Sequence, residues 1–254
     1  MPIDEVFPNP TVKQVIFEIR FPNLFYIENR IGELQVRIMQ EFPESSLILR
    51  RQVVLADVGP DIKIESVPEA LKPEAVRKIW QFASPKNFKL NVLGDSLSIT
   101  SEYHKTYNHP SSESKFRDAI AFVLRHFMDV MGIPIINRIG LRYINECPLP
   151  SKDTETYNEY YKTALNLGKF KIEDANEFTL KMELKKGDYF LNYAEALRKQ
   201  DERNIVILDF DVYAKDIKSD QYLGVTDDLH DIIIETFVAS VQQPIFDFMR
   251  KQVE

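Results

Sequence analysis

An α+β fold, with helices backing an antiparallel sheet, follows from three features of this sequence. Segments in which apolar and polar residues alternate recur along the chain, as half-buried strands require. Several are joined by turns too short for anything but a hairpin, such as Gly94-Asp95-Ser96 and Lys186-Gly187-Asp188. Between these groups lie long stretches with apolar residues three and four apart, the spacing of an amphipathic helix. Strands linked by tight turns make an antiparallel sheet, and helices segregated between such groups cover one of its faces.

The first strand runs from Lys13 to Phe21, with Lys13, Val15, Phe17, Ile19 and Phe21 on one side and Gln14, Ile16, Glu18 and Arg20 on the other. Pro22-Asn23 ends it. A helix then carries Ile27, Ile31, Leu34, Ile38 and Phe42 on one face, and Pro43 stops it. Leu47 to Val58 reads as a strand leading into Gly59-Pro60, and residues 60–75 read as an irregular, proline-containing excursion. Strands follow at Lys78–Ala83, Phe88–Leu93 and Leu97–Tyr103. A second helix begins near Ser111-Ser112, whose hydroxyls suit a cap. It buries Phe116, Ile120, Val123, Phe127 and Met131 and ends at Gly132.

The pattern then starts over. Asn137–Asn145 reads as a strand closed by Cys147-Pro148-Leu149-Pro150, residues 153–167 as a helix closed by Gly168, and Phe178–Lys185, Tyr189–Tyr193 and Ile205–Tyr213 as strands. The last helix starts at Thr226, with Asp227 and Asp228 in its first turn, where the helix dipole favours acids. Its stripe is Leu229, Ile233, Phe237, Val241, Ile245 and Phe248, with Pro244 kinking or interrupting it. Two similar strand-helix-meander-helix halves, residues 1–132 and 133–254, are thus expected to form one compact unit. This repeat is of architecture, not of residues. The curved sheet backed by long helices is somewhat like a saddle or a helix-grip.

Composition narrows the function classes. The 254 residues are 44% hydrophobic and 28% charged, enough to bury a sizeable core and too apolar for a disordered tail. Thirty-two basic against 39 acidic residues leave a net charge of -7, which disfavours nucleic acid as a partner. The opening MPIDEVFPNP lacks the basic stretch and apolar run of a signal peptide, and no segment is apolar enough for a membrane span. The one cysteine, Cys147, fits a reducing compartment, so a cytoplasmic location is expected. Gly-rich phosphate loops and a nucleophile elbow are absent.

The outward sides of the strands carry the candidate site. Arg20, Arg138, Arg142, Lys181 and Lys185 could receive an anion or a partner, and Glu18, Asp209 and Asp211 could ligate a divalent cation such as Mg²⁺. One reading is a charged surface for phosphate chemistry, as in the triphosphate-tunnel enzymes. Those enzymes open on a strand with two alternating glutamates followed by a lysine, whereas this chain has Ile16-Phe17-Glu18-Ile19-Arg20, with one acid. The other reading is cross-strand ion pairs on a solvated sheet face, the arginines pairing with Asp209, Asp211 or Glu18. Gly140, between Arg138 and Arg142, marks a bulge or a close approach to the backbone. His104 and His109 read as loop histidines, His126 and His230 as structural or surface residues, and Cys147 as a small, partly buried side chain. No metal-ligand spacing links them.

Several strings together resemble one family: Val15-Ile16-Phe17-Glu18-Ile19-Arg20-Phe21, Trp80-Gln81-Phe82-Ala83-Ser84, Arg138-Ile139-Gly140-Leu141-Arg142-Tyr143-Ile144-Asn145 and Leu208-Asp209-Phe210-Asp211-Val212-Tyr213. It is a sporadically distributed bacterial and archaeal family of about this length with no established activity. The resemblance implies a single full-length member and transfers no catalytic residue. Patchy distribution resembles that of mobile or defence-associated genes. The expectation is a non-enzymatic binding or adaptor protein without a cofactor, whose partner is another protein or a second copy. The alternative is a metal-dependent phosphohydrolase or a polyphosphate- or nucleotide-binding protein that uses the charged sheet face.

Overall fold

The computed structural model describes residues 5–51, 76–165, 167, 169–200 and 203–252. In chain order the elements are β1 (Val12–Arg20), α1 (Ile27–Ile38), β2 (Glu44–Arg51), β3 (Val76–Ala83), β4 (Lys89–Val92), β5 (Ser96–Ser101) and α2 (Phe116–Met131). The second half continues with β6 (Ile135–Leu149), α3 (Thr154–Tyr160), β7 (Phe178–Lys186), β8 (Tyr189–Gln200), β9 (Arg203–Lys218), α4 (Tyr222–Ser240) and α5 (Gln243–Arg250). The strands form one open, wholly antiparallel sheet in the order β2-β3-β4-β5-β1-β6-β9-β8-β7. The first strands of the two halves are therefore the central pair, with Phe17 opposite Leu141 and Glu18 opposite Gly140. From β1 the sheet runs outward through β5, β4, β3 and β2, and from β6 through β9, β8 and β7. The expected α+β class, with an antiparallel sheet, is what the chain adopts.

Alternation decides which face is covered. Val15, Phe17 and Ile19 on β1, Ile139, Leu141 and Tyr143 on β6, and Val206, Leu208 and Phe210 on β9 point inward into a single apolar cluster. The helices bury their stripes in the same cluster: Leu34 and Ile38 from α1, Ile120, Val123 and Phe127 from α2, Leu229 and Ile233 from α4. Tyr157 of α3 and Ile245 of α5 close its end. Deleting one such inward Leu or Ile costs about 2–5 kcal/mol, so the stripe matters more than intrinsic helix propensity.

Several boundaries differ from the expected ones, each for a physical reason. The pairing of β1 with β6 shifts between Val12 and Gln14, and the extra residue, Lys13, is exposed, not inward. Helix α2 starts at Phe116 and not at the serines; Lys115 precedes it without a side-chain cap, while Gly132, at φ +64°, closes it by donating to Met128 O at 2.8 Å. Strand β6 runs through Pro148 to Leu149. The proline is tolerated because β1 pairing ends at Asn145, so its missing N–H faces no neighbour there. Helix α3 is short, capped by Asp153, which accepts from Thr156 N at 2.7 Å. Strands β8 and β9 outrun their expected ends at Tyr193 and Tyr213.

The last helix is two. It begins one turn early, at Tyr222, and breaks at Val241, which is extended and bridges to Tyr161. Beyond the break the inward positions are Ile245 and Met249, so Met249 takes the place expected of Phe248. The expected strand end at Val58, the excursion over 60–75 and the closing Gly168 lie outside the described residues.

Candidate functional site

All the candidate charged residues fall on the outward face of the sheet, because each alternates along its strand with residues that face the core side. Arg138 Nη2 donates to both oxygens of Asp211 at 2.9 Å, and its Nη1 reaches Glu18 Oε1 at 3.3 Å. Glu18 also accepts from Arg20 Nε at 2.7 Å. Arg142 holds Asp209 with two bonds, Nε at 2.8 Å and Nη2 at 2.5 Å. Asn192 of β8 donates to Asp211 at 3.2 Å. Three arginines and three carboxylates so form two groups of ion pairs: Arg20, Glu18, Arg138 and Asp211 in a run across β1, β6 and β9, and Arg142 with Asp209 across β6 and β9. Asp209 and Asp211, which share a face, are kept apart electrostatically by one guanidinium each.

Gly140 makes this possible. The register stays continuous there, so no bulge is present. A side chain at this position would place its Cβ 2.6 Å from Arg138 Nη1. The guanidinium of Arg138 lies over the glycine and 4.6 Å above the ring of Tyr213, the residue opposite Gly140 on β9.

The lysines are placed differently. Lys181 stands opposite Ala194 and Lys185 opposite Phe190, on the edge strand β7. Lys181 shares a shallow depression with Arg142, Glu183, Asn192, Asp209 and Asp211. Lys215 of β9 sits over the stacked rings of Phe190 (5.1 Å) and Tyr213 (5.7 Å). None of these three lysines has a carboxylate partner among the described residues. Nor do His, Cys, Asp or Glu side chains form a metal-binding group of three among the described residues. Glu18, Asp209 and Asp211 spend their oxygens on arginines instead.

No protein-family model, curated protein or solved structure matches this chain. Function therefore rests on the geometry of its own residues.

A second polar cluster lies on the other side of the sheet, where sequence reading sees only scattered residues. Under α4, a cavity of about 370 Å³ opens between the 104–110 loop, the segment before β1, and Tyr143 and Asn145 of β6. His104, only 8% exposed, faces Tyr143, with Nε2 3.1 Å from the hydroxyl. His230 of α4 stacks on Tyr107 with ring centroids 4.1 Å apart and planes 13° from parallel. Tyr107 donates to Asp227 Oδ1 at 2.7 Å, and Arg117 of α2 grips both oxygens of Asp227 at 2.7 Å each. Asp227 thus serves the 104–110 loop and α2, not the start of its own helix.

Burial sets the charge states here. It pulls the His104 imidazole down to about 3, assisted by the neighbouring His230. It pulls His230 down to about 4, against the opposing pull of Asp227. Both are neutral at ordinary pH. For Asp227 burial pushes the carboxyl up, but its hydrogen bonds to Arg117 and Tyr107 outweigh it and leave the group below the usual carboxylate range. The phenols of Tyr107 and Tyr143 are pushed up, chiefly by burial.

The remaining candidates are structural. Cys147 is buried, and burial pushes its thiol up to about 12, far from a nucleophilic thiolate. His126 packs edge-on against Phe122, and its buried Nδ1 has no hydrogen-bond partner among the described residues. Glu195, 1% exposed on the inward side of β8, was hidden by the expected end of that strand; it accepts from the hydroxyls of Tyr157, Thr163 and Tyr193. No sequence signal pairs these groups, which come together only when α3 packs on the sheet.

Proposed function

We propose that this chain is a non-enzymatic binding or adaptor protein of the cytoplasm that offers the outward face of its sheet to an acidic surface on a protein partner. The observation that carries this reading is the division of charge on that face. The arginines are already committed to Glu18, Asp209 and Asp211, whereas Lys181, Lys185 and Lys215 form no ion pair among the described residues. A lysine row beside an arginine-carboxylate frame favours partner charge over catalysis, because the carboxylates that chemistry would need are neutralised. Among the described residues no helix is long and apolar enough to cross a membrane. The resemblance to a sporadically distributed family adds that the setting is a mobile or defence-associated system.

The test is affinity capture from the native host at physiological salt, with the wild-type chain beside Lys181→Glu/Lys185→Glu. We expect a stoichiometric protein partner that the charge reversal loses. Equal capture by both chains would refute the reading.

A second reading is favoured by one observation, that Arg142, Lys181, Asp209 and Asp211 line the same depression. There a polyphosphate with Mg²⁺ would displace the ion pairs. It requires that Mg²⁺ and triphosphate together raise the melting temperature and that Asp209→Asn abolish the rise.

A further inference from the structure

The cavity under α4 has unspent hydrogen-bonding capacity. Of the four ring nitrogens of His104 and His230, only His104 Nε2 has a hydrogen-bond partner among the described residues. His230 Nδ1 is 3.7 Å from Asp231 Oδ1, beyond hydrogen-bond distance. These nitrogens are not sealed in the core, since both histidines line the cavity. Imidazole nitrogens that open on a cavity and carry no protein partner are free to bond to a ligand that fills it.

The walls define what that is. Phe7, Val12, Ile233, Ile234, Phe237 and Met249 supply an apolar lining. The volume lies at the small end of the roughly 300–1,000 Å³ range of ligand pockets. Charge is spoken for: Asp227 is neutralised by Arg117, and Glu5 at the rim is held by Arg250 at 2.5 Å. Asp231 is 84% exposed and faces water. Lys105 is the only lysine or arginine among the described residues lining the cavity, so an anion would meet two rim carboxylates and one lysine. A cation would be desolvated against two neutral imidazoles. A neutral imidazole offers one donor and one acceptor, and the flat Tyr107–His230 stack suits a ring.

We propose that this cavity is a binding site for an uncharged, ring-containing small molecule with an adjacent hydrogen-bond donor and acceptor, the chemistry of an aromatic amide or lactam. His104 and His230 recognise its polar edge, and the apolar wall from α4 and α5 covers its ring. The site lies on the opposite side of the sheet from the lysine row, so it stands independently of the partner surface proposed above.

The test follows the histidine Cε1–H resonances of the full chain during titration with benzamide and nicotinamide, against benzoate, nicotinate and benzamidine as charged counterparts. We expect the amides to shift the His104 and His230 signals saturably and the charged analogues to bind at least tenfold more weakly. Ile234→Trp, which fills the cavity from α4, should abolish the shifts. Should that variant not fold, His230→Phe keeps the stack on Tyr107 while removing both nitrogens, and should weaken amide binding at least tenfold. Amides that leave both signals unmoved, charged analogues that bind equally well, or binding that survives these substitutions would overturn the proposal.

Discussion

Arg138 depends on an absence two residues away. Its guanidinium reaches Glu18 and Asp211 only because Gly140 has no side chain where it crosses the strand. The shared face of Arg138 and Arg142 is legible in the sequence, because strand period alone fixes it, whereas Gly140 by itself leaves a bulge and a close approach as alternatives. The histidine cluster is not legible. His230 meets Tyr107 and Tyr143, residues far away in sequence, and nothing in a one-dimensional pattern marks such a meeting. Its consequence is measurable. Both imidazoles have folded pKa values below the usual histidine value, so the unfolded chain binds protons that the folded chain refuses. Stability is fully present above the ordinary histidine pKa and falls as pH drops toward about 4 for His230 and about 3 for His104. Each should cost roughly 1.4 kcal/mol per pH unit over that window. Urea unfolding compared at about pH 7.5 and about pH 5.5 reads this before the carboxylates titrate. A His104→Gln/His230→Gln chain should show a much flatter dependence; the same steep slope there would place its origin elsewhere.

At the scale of elements, periodicity locates almost every helix and strand, while their ends are set by tertiary contacts. Pro148 looks like a stop because prolines break ladders, yet β6 carries it beyond the end of its neighbour β1. The division of the C-terminal helix is the clearest case. Pro244 explains a break from sequence alone, but the structure supplies a second cause. Lys162 N donates to Ser240 O at 2.9 Å and Gln242 N to Tyr160 O at 2.8 Å, holding Val241 extended against the segment that follows α3. The proline sits in the first turn of α5, where it is well tolerated. Pro244→Ala should therefore leave α4 and α5 separate, with no gain in helical circular dichroism and a stability change within about 1 kcal/mol. Fusion into one long helix, seen as increased ellipticity, would show that the proline alone imposes the break.

For the whole molecule, the two halves marked out in the sequence share one apolar cluster and one sheet. Neither β1 nor β6 has a complete set of neighbours without the other half. Unfolding should accordingly be a single transition. Trp80, the one tryptophan, stands on β3 in the first half, and its fluorescence should lose native signal at the same denaturant concentration as far-ultraviolet circular dichroism, which reports both halves. Two midpoints would mean that the halves melt independently. Alternation and short turns foretell an antiparallel sheet, but not which strands meet in the middle, since alternation carries no record of a strand's partner.

The central seam also has a bearing on time. Strand β1 is made first, yet its inner neighbour β6 begins only at Ile135 and its outer neighbour β5 only at Ser96. Hairpins such as β7–β8 can close quickly from local contacts, whereas β1 must await partners separated from it by most of a half-chain. During synthesis, Val15, Phe17 and Ile19 emerge before either of the strands that flank β1 in the sheet. The alternating charge of Glu18 and Arg20 on the same strand then guards a nascent edge, long before it frames a finished surface.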